Sequence, residues 1–191
     1  MNIAILSGSA RTNNNTLRVA KAIARLTELD HNVKLIDFQQ YDIPLIAQGG
    51  LNPNELSVFQ QELVQAMDFA QLIIFVSPEY NWSTTPEILN MLHLLPTKPF
   101  MHLFENKVFS FVGVSTGKGG KAPALHLMQI VNKVVSFADL ESIVAAKIFE
   151  SHFTKEVLNA DGQSLGNELY DAGLQSYVDY TMQITKRWQK L

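Results

Sequence analysis

Three short stretches of the chain carry side chains suited to holding a ligand. The first, Gly8-Ser9-Ala10-Arg11-Thr12-Asn13-Asn14-Asn15-Thr16, collects hydroxyls, amides and one guanidinium immediately before a helical pattern. A phosphate calls for such a set: free backbone N–H groups, the positive end of a helix dipole, and Ser, Thr, Asn and Arg donors. An N-capped turn with a solvated Arg has the same composition. The second stretch, Pro78-Glu79-Tyr80-Asn81-Trp82-Ser83-Thr84-Thr85-Pro86, sets two aromatics, an amide and a carboxylate at the mouth of an apolar run. A planar heteroaromatic ligand needs an apolar wall with polar edges, which this segment could provide; a Pro-bracketed surface loop with its aromatics on the neighbouring helix is the other reading. The third, Ser115-Thr116-Gly117-Lys118-Gly119-Gly120-Lys121, has glycines that let backbone approach a ligand, although taken alone it is a turn. Lys118 and Lys121 either reach a nucleotide phosphate or form a solvated pair.

Other chemistries lack their residues. No Gly-Lys-Ser/Thr follows the first loop, no GxGxxG occurs, and Ser9 has no GxSxG elbow, so P-loop, classical dinucleotide and serine-hydrolase readings lose their support. The five His residues show no metal-ligand spacing, and the absence of Cys removes disulfides, thiolate metal sites and thiol nucleophiles. With 15 Lys+Arg against 18 Asp+Glu, a net charge of -3 and no long run of either sign, nucleic acid and anionic membranes are not expected partners. No segment approaches the roughly 18 apolar residues of a membrane span, and a cytoplasmic location is expected.

The elements that must position these loops follow from periodicity. Short apolar runs at Ile3 to Leu6, Val33 to Phe38, Leu72 to Val76, Val108 to Val114 and Ser142 to Ile148 predict five buried strands. Amphipathic stripes predict helices from Thr16 to Leu26, Leu56 to Ala70, Pro86 to Leu95, Gly119 to Lys133 and Leu165 to Trp188. Tyr41 to Pro53, with two Pro and two Gly, predicts an irregular connection. Strands alternating with helices imply a parallel, doubly wound α/β sheet in a single domain spanning residues 1–191. Ligands on such sheets sit beyond the carboxyl ends of the strands, where the three loops fall.

Taken together, the loops resemble those of the NADPH-dependent FMN reductase family, whose relatives reduce quinones, azo dyes and chromate. The most specific piece is Pro78-Glu79-Tyr80-Asn81 after an apolar strand, and the likeness extends from Met1 to about Ile148. The resemblance implies a flavodoxin-like three-layer sandwich with a five-stranded parallel sheet of order 2-1-3-4-5. It implies that Ser9, Arg11, Asn15 and Thr16 cradle the FMN phosphate, that Pro78, Glu79, Tyr80 and Asn81 hold the isoalloxazine, and that Ser115, Thr116 and Gly117 lie at the other edge of the ring. Ser83, Thr85, Pro86 and Asn90 continue the family pattern, whereas Leu89 and His93 depart from it.

The activity so implied is transfer of a hydride from NADPH or NADH through FMN to a small oxidant such as a quinone, free flavin or azo compound. No protein acid, base or nucleophile is required, and no catalytic side chain is named. A flavodoxin-type one-electron carrier is the rival expectation, though such carriers are usually more acidic. Ile88 to Leu95 is apolar on nearly every side, which points to a homodimer face, or a tetramer built on it, unless the C-terminal helix covers it.

Overall fold

The computed structural model describes residues 1–190. Its elements run β1 (Asn2–Ser7), α1 (Asn15–Thr27), β2 (Asn32–Asp37), α2 (Val58–Phe69), β3 (Leu72–Pro78), α3 (Pro86–Leu94), β4 (Val108–Val114), α4 (Lys121–Phe137), β5 (Ile143–Val144), β6 (Phe149–Ser151), α5 (Thr154–Val157) and α6 (Glu168–Gln189). The sheet order is β2-β1-β3-β4-β5, with β6 also on β4, and every pairing is parallel. This is the flavodoxin-like order expected.

Strand alternation divides the core. Ala4, Leu6, Ile73, Phe75, Phe109 and Phe111 pack with α2, α3 and α4 on one face. Ile3, Ile5, Ile74, Val76 and Val112 pack with α1 and α6 on the other. β3 and β4 are buried along their whole length, as continuous apolar runs in a parallel sheet require.

Local signals set the helix starts. Ser57 and Gln60 close a capping box at α2. Thr85 caps α3, with Pro86 in its first turn. The connection between β2 and α2 carries no further strand or α-helix, as expected. It is pinned by Asn90, whose amide donates to Tyr41 Oη and Pro44 O at 2.8 Å and accepts from Ile46 N at 3.0 Å.

Two expectations change. The fifth strand is not continuous: opposite the two β4 residues between Phe109 and Val112, the edge uses four between Val144 and Phe149. The surplus loops out as a bulge, and Lys147 turns outward to donate to Ser176 Oγ at 2.7 Å. The apolar excess of α3 is also mostly internal. Ile88, Met91, Leu92 and Leu95 are buried in the core shared with α2 and α4, while α6 lies across the sheet.

Three tyrosines, Tyr177 buried and Tyr41 and Tyr170 half-buried, make an alkaline prediction. Burial pushes Tyr41 and Tyr170 up to about 12 and Tyr177 higher still, although Ser110 Oγ lies 2.6 Å from the Tyr177 hydroxyl. An unfolded Tyr ionises near pH 10, so the folded state binds more protons from about pH 10 upward. The stability they contribute is complete below pH 10 and is lost as pH rises through about 12. Buried Lys107, whose pKa burial lowers, acts with the opposite sign, one group against three. Urea midpoints are expected to fall over that window, with tyrosinate absorbance from these three rings appearing only on unfolding. Five tyrosines titrating near pH 10 in the folded chain would contradict this.

Candidate functional site

The carboxyl ends of β1, β3 and β4 open onto a cleft of about 230 Å³. Of the residues singled out in the sequence, Ser9, Arg11, Asn15, Thr16, Pro78, Glu79, Tyr80, Ser115 and Thr116 line it; Asn81, Gly117, Lys118 and Lys121 do not. Sequence reasoning missed Val114 and Lys155. Val114 is the last residue of a recognised strand, whereas Lys155 sits on four-residue α5, too short to leave a periodic signal.

The first loop is built around the start of α1. Asn14 is the N-cap: its side-chain oxygen accepts from Leu17 N at 2.7 Å and its amide donates to Arg11 O at 2.7 Å. That leaves the N–H groups of Asn15 and Thr16 among the unsatisfied donors of the helix end. Thr16 is fully buried, and its hydroxyl has no partner; Asn15 Oδ1 is likewise buried and unpaired. The unpartnered Thr16 hydroxyl and the free N–H groups at this helix N-terminus, in one cleft with the Arg11 guanidinium, fit a bound anion.

The aromatic wall is tied to this loop. Tyr80 Oη lies 3.2 Å from Ser9 Oγ, and Arg11 Cζ stands 4.2 Å from the centroid of the Tyr80 ring. Tyr80 and Ser83 exchange backbone hydrogen bonds of 2.9 and 3.0 Å around Asn81 and Trp82, whose φ values of 46° and 60° form a tight turn. The turn leaves Asn81 exposed. Thr85 Oγ1 donates to Gly8 O at 2.8 Å, joining α3 to the first loop.

Glu79 has a definite structural task. Its carboxylate accepts from Gly120 N at the N-terminus of α4, where a negative charge suits the dipole. Gly119 and Gly120 adopt φ values of +158° and +94°, and a Cβ on Gly119 would stand 2.7 Å from Glu79 Oε2. The glycines of the third loop therefore let the carboxylate approach α4. Gly117 N donates to Ser115 Oγ at 3.3 Å, and Gly117 O accepts from Phe153 N at 3.1 Å. Among the described residues no group of His, Asp and Glu could hold a metal ion, and no helix is long and apolar enough to cross a membrane.

The fold and the sequence both have counterparts among known proteins. The fold is similar to that of the flavoenzyme NAD(P)H:(acceptor) oxidoreductase of Paracoccus denitrificans, with TM-score 0.77, 18% identity and 97% of each chain covered. It also resembles an archaeal flavodoxin, with TM-score 0.58, 12% identity and 99% of each chain covered. An NADPH:quinone oxidoreductase of Arabidopsis thaliana is 29% identical over 135 residues, 67% of this chain and 65% of that protein. The matched stretch thus falls short of two thirds of that relative's length. Residues 1–150, which include the Ser9 to Thr16 loop, Pro78 to Tyr80 and Ser115 to Thr116, match the NADPH-dependent FMN reductase family, and the chain belongs to that family.

Proposed function

We propose that this chain is an NAD(P)H-dependent flavin oxidoreductase that holds FMN in the cleft and serves a small oxidant such as a quinone, free flavin or azo compound. The carrying observation is the buried, unpartnered Thr16 hydroxyl at the start of α1, in one cleft with Arg11 and the Tyr80 wall. The chemistry FMN supplies when bound is two-electron transfer from reduced nicotinamide to the oxidant. The protein's part is to bind and orient. Ser9, Arg11, Asn15 and Thr16, with the free N–H groups of α1, take the phosphate. Pro78 and Tyr80 cover one side of the ring, and Ser115 and Thr116 offer donors to its edge. Glu79, Asn81 and Gly117 shape the walls, through the α4 cap, the tight turn and the link to Phe153. No side chain in the cleft is needed as acid, base or nucleophile.

The test is to load the purified protein with FMN, remove free flavin, and follow the visible flavin band anaerobically as NADPH and then NADH are added. Retention with rapid bleaching and no stable semiquinone is expected. Retained flavin that neither nucleotide bleaches would instead favour an electron carrier, and loss of all flavin would end the flavin reading. In the same assay Arg11→Ala is expected to raise the FMN Kd about tenfold, the worth of one charge-assisted hydrogen bond. Its thermal midpoint should not move, because Arg11 is exposed.

Assembly as a homodimer belongs to the same proposal. Its support is the outward surface near the cleft: Trp82 is 80% exposed, and Leu89 and Leu94 of α3 remain half-buried. Light scattering at micromolar protein should give about twice 21.4 kDa; a monomer mass removes the dimer.

A further inference from the structure

Lys155 lies beyond the residues that match the family, yet it lines the same cleft as Arg11 and Thr16. It and Arg11 are the cations of the lining, and Glu79, the carboxylate there, is already engaged by Gly120 N. The backbone beneath Lys155 is firmly held. Thr154 is fully buried, donates to Ser115 O at 3.2 Å and lies 2.9 Å from Ser151 Oγ. Phe153 N donates to Gly117 O at 3.1 Å, and from α1 Arg18 Nη1 donates to Leu158 O at 3.2 Å. α5 is thereby fastened to the third loop at one end and to α1 at the other. The ion pairs among the described residues are Lys21–Asp161, His102–Asp68 and His152–Glu150, so none engages Lys155.

We infer that Lys155 is the second cation of a phosphate-ester site whose other parts are Arg11, Thr16 and the start of α1. This rests on the flavin reading above. The independent sign of an anion is the Thr16 hydroxyl, buried at that helix start without an acceptor. A phosphate monoester carries a charge of about -1.5 to -2 near pH 7, which a single guanidinium leaves incompletely neutralised. A lysine adds a point charge on a flexible stem, and Lys155 lines the cleft from α5. The ester is either that of the flavin or the 2′-phosphate of a pyridine nucleotide.

Flavin fluorescence quenching measures FMN and riboflavin Kd for the parent, Lys155→Gln and Lys155→Arg, and steady-state kinetics of the FMN-loaded proteins give KM for NADPH and NADH. Lys155→Gln is expected to raise the FMN Kd about tenfold while riboflavin stays within about twofold, and Lys155→Arg to restore most of the loss. A KM that rises for NADPH and not NADH, with FMN binding unchanged, assigns the phosphate to the nucleotide and still supports the site. Equal weakening of FMN and riboflavin, or no change for any of the four ligands, overturns it. A parent protein that binds neither flavin overturns the flavin reading as well, and shows this before any variant is compared.

Discussion

Thr16→Val is expected to stabilise the flavin-free protein by about 1 kcal/mol and to raise its FMN Kd about tenfold, two effects of opposite benefit from one hydroxyl. In the free protein that hydroxyl is buried with no partner, and a buried donor left unmade costs about 1–3 kcal/mol. Val keeps the branched shape and has a helix propensity close to that of Thr, so removing the oxygen relieves the penalty without opening a cavity. The same oxygen is the donor closest in sequence to the free N–H groups of α1, and a phosphate placed there supplies the missing acceptor. Urea denaturation of the flavin-free form and flavin titration read the two halves separately. A variant less stable than the parent with undiminished FMN binding would show the hydroxyl to be structural.

The largest loss of stability is expected from Gly113→Ala, at least about 3 kcal/mol. Gly113 lies in fully buried β4, and a Cβ built there would stand 1.6 Å from Gly120 O and 2.4 Å from Gly120 C. Both are backbone atoms, so no side-chain rotation relieves the overlap. Gly120 cannot easily retreat, because its own N–H is held by Glu79 and its φ of +94° is one that few residues adopt. Relief requires β4 to separate from the start of α4, and that movement also disturbs Glu79 and the cleft wall. A urea-derived loss below about 1 kcal/mol would mean the turn is more compliant than this packing implies. Gly8 makes a useful contrast. A Cβ there meets the Ile88 side chain, Cδ1 at 2.1 Å and Cγ1 at 2.5 Å, and the nearest backbone atom only at 3.3 Å, so Gly8→Ala should cost less.

Much of this organisation is legible without coordinates, because the signals involved are local. Strands β1, β3 and β4 declare themselves as apolar runs buried on both faces, and α1, α2 and α6 as one-sided stripes. The first loop gathers hydroxyls, amides and a guanidinium within nine positions of one another, the residue types on which the proposed anion site rests. The edge of the sheet is less legible. Ser142 to Ile148 has the composition of a strand, but whether it pairs continuously depends on its register with β4, and the bulge between Val144 and Phe149 follows from that pairing. The covering of α3 is not legible for a related reason: periodicity counts apolar faces but does not say which neighbours cover them, and Ile88, Met91, Leu92 and Leu95 pack inward while Leu89 and Leu94 stay half-buried.

Hydrophobic period and turn chemistry act over a few residues, so the succession of the longer strands and helices, the parallel sheet and the loops at its carboxyl end are readable from the sequence, whereas α5 and the break between β5 and β6 are not. Only the tertiary structure decided how each side chain in those loops is employed. Glu79 sits in the most recognisable tetrapeptide of the chain, yet its carboxylate caps α4 across 41 residues of sequence. Asn90 ties down the loop after β2. Lys155 joins Arg11 because Thr154, Phe153 and Leu158 fasten α5 to the third loop and to α1. Hydrogen bonds and charge pairing depend on distance in space, and residues far apart in the chain meet only once the sheet has brought their loops to one edge.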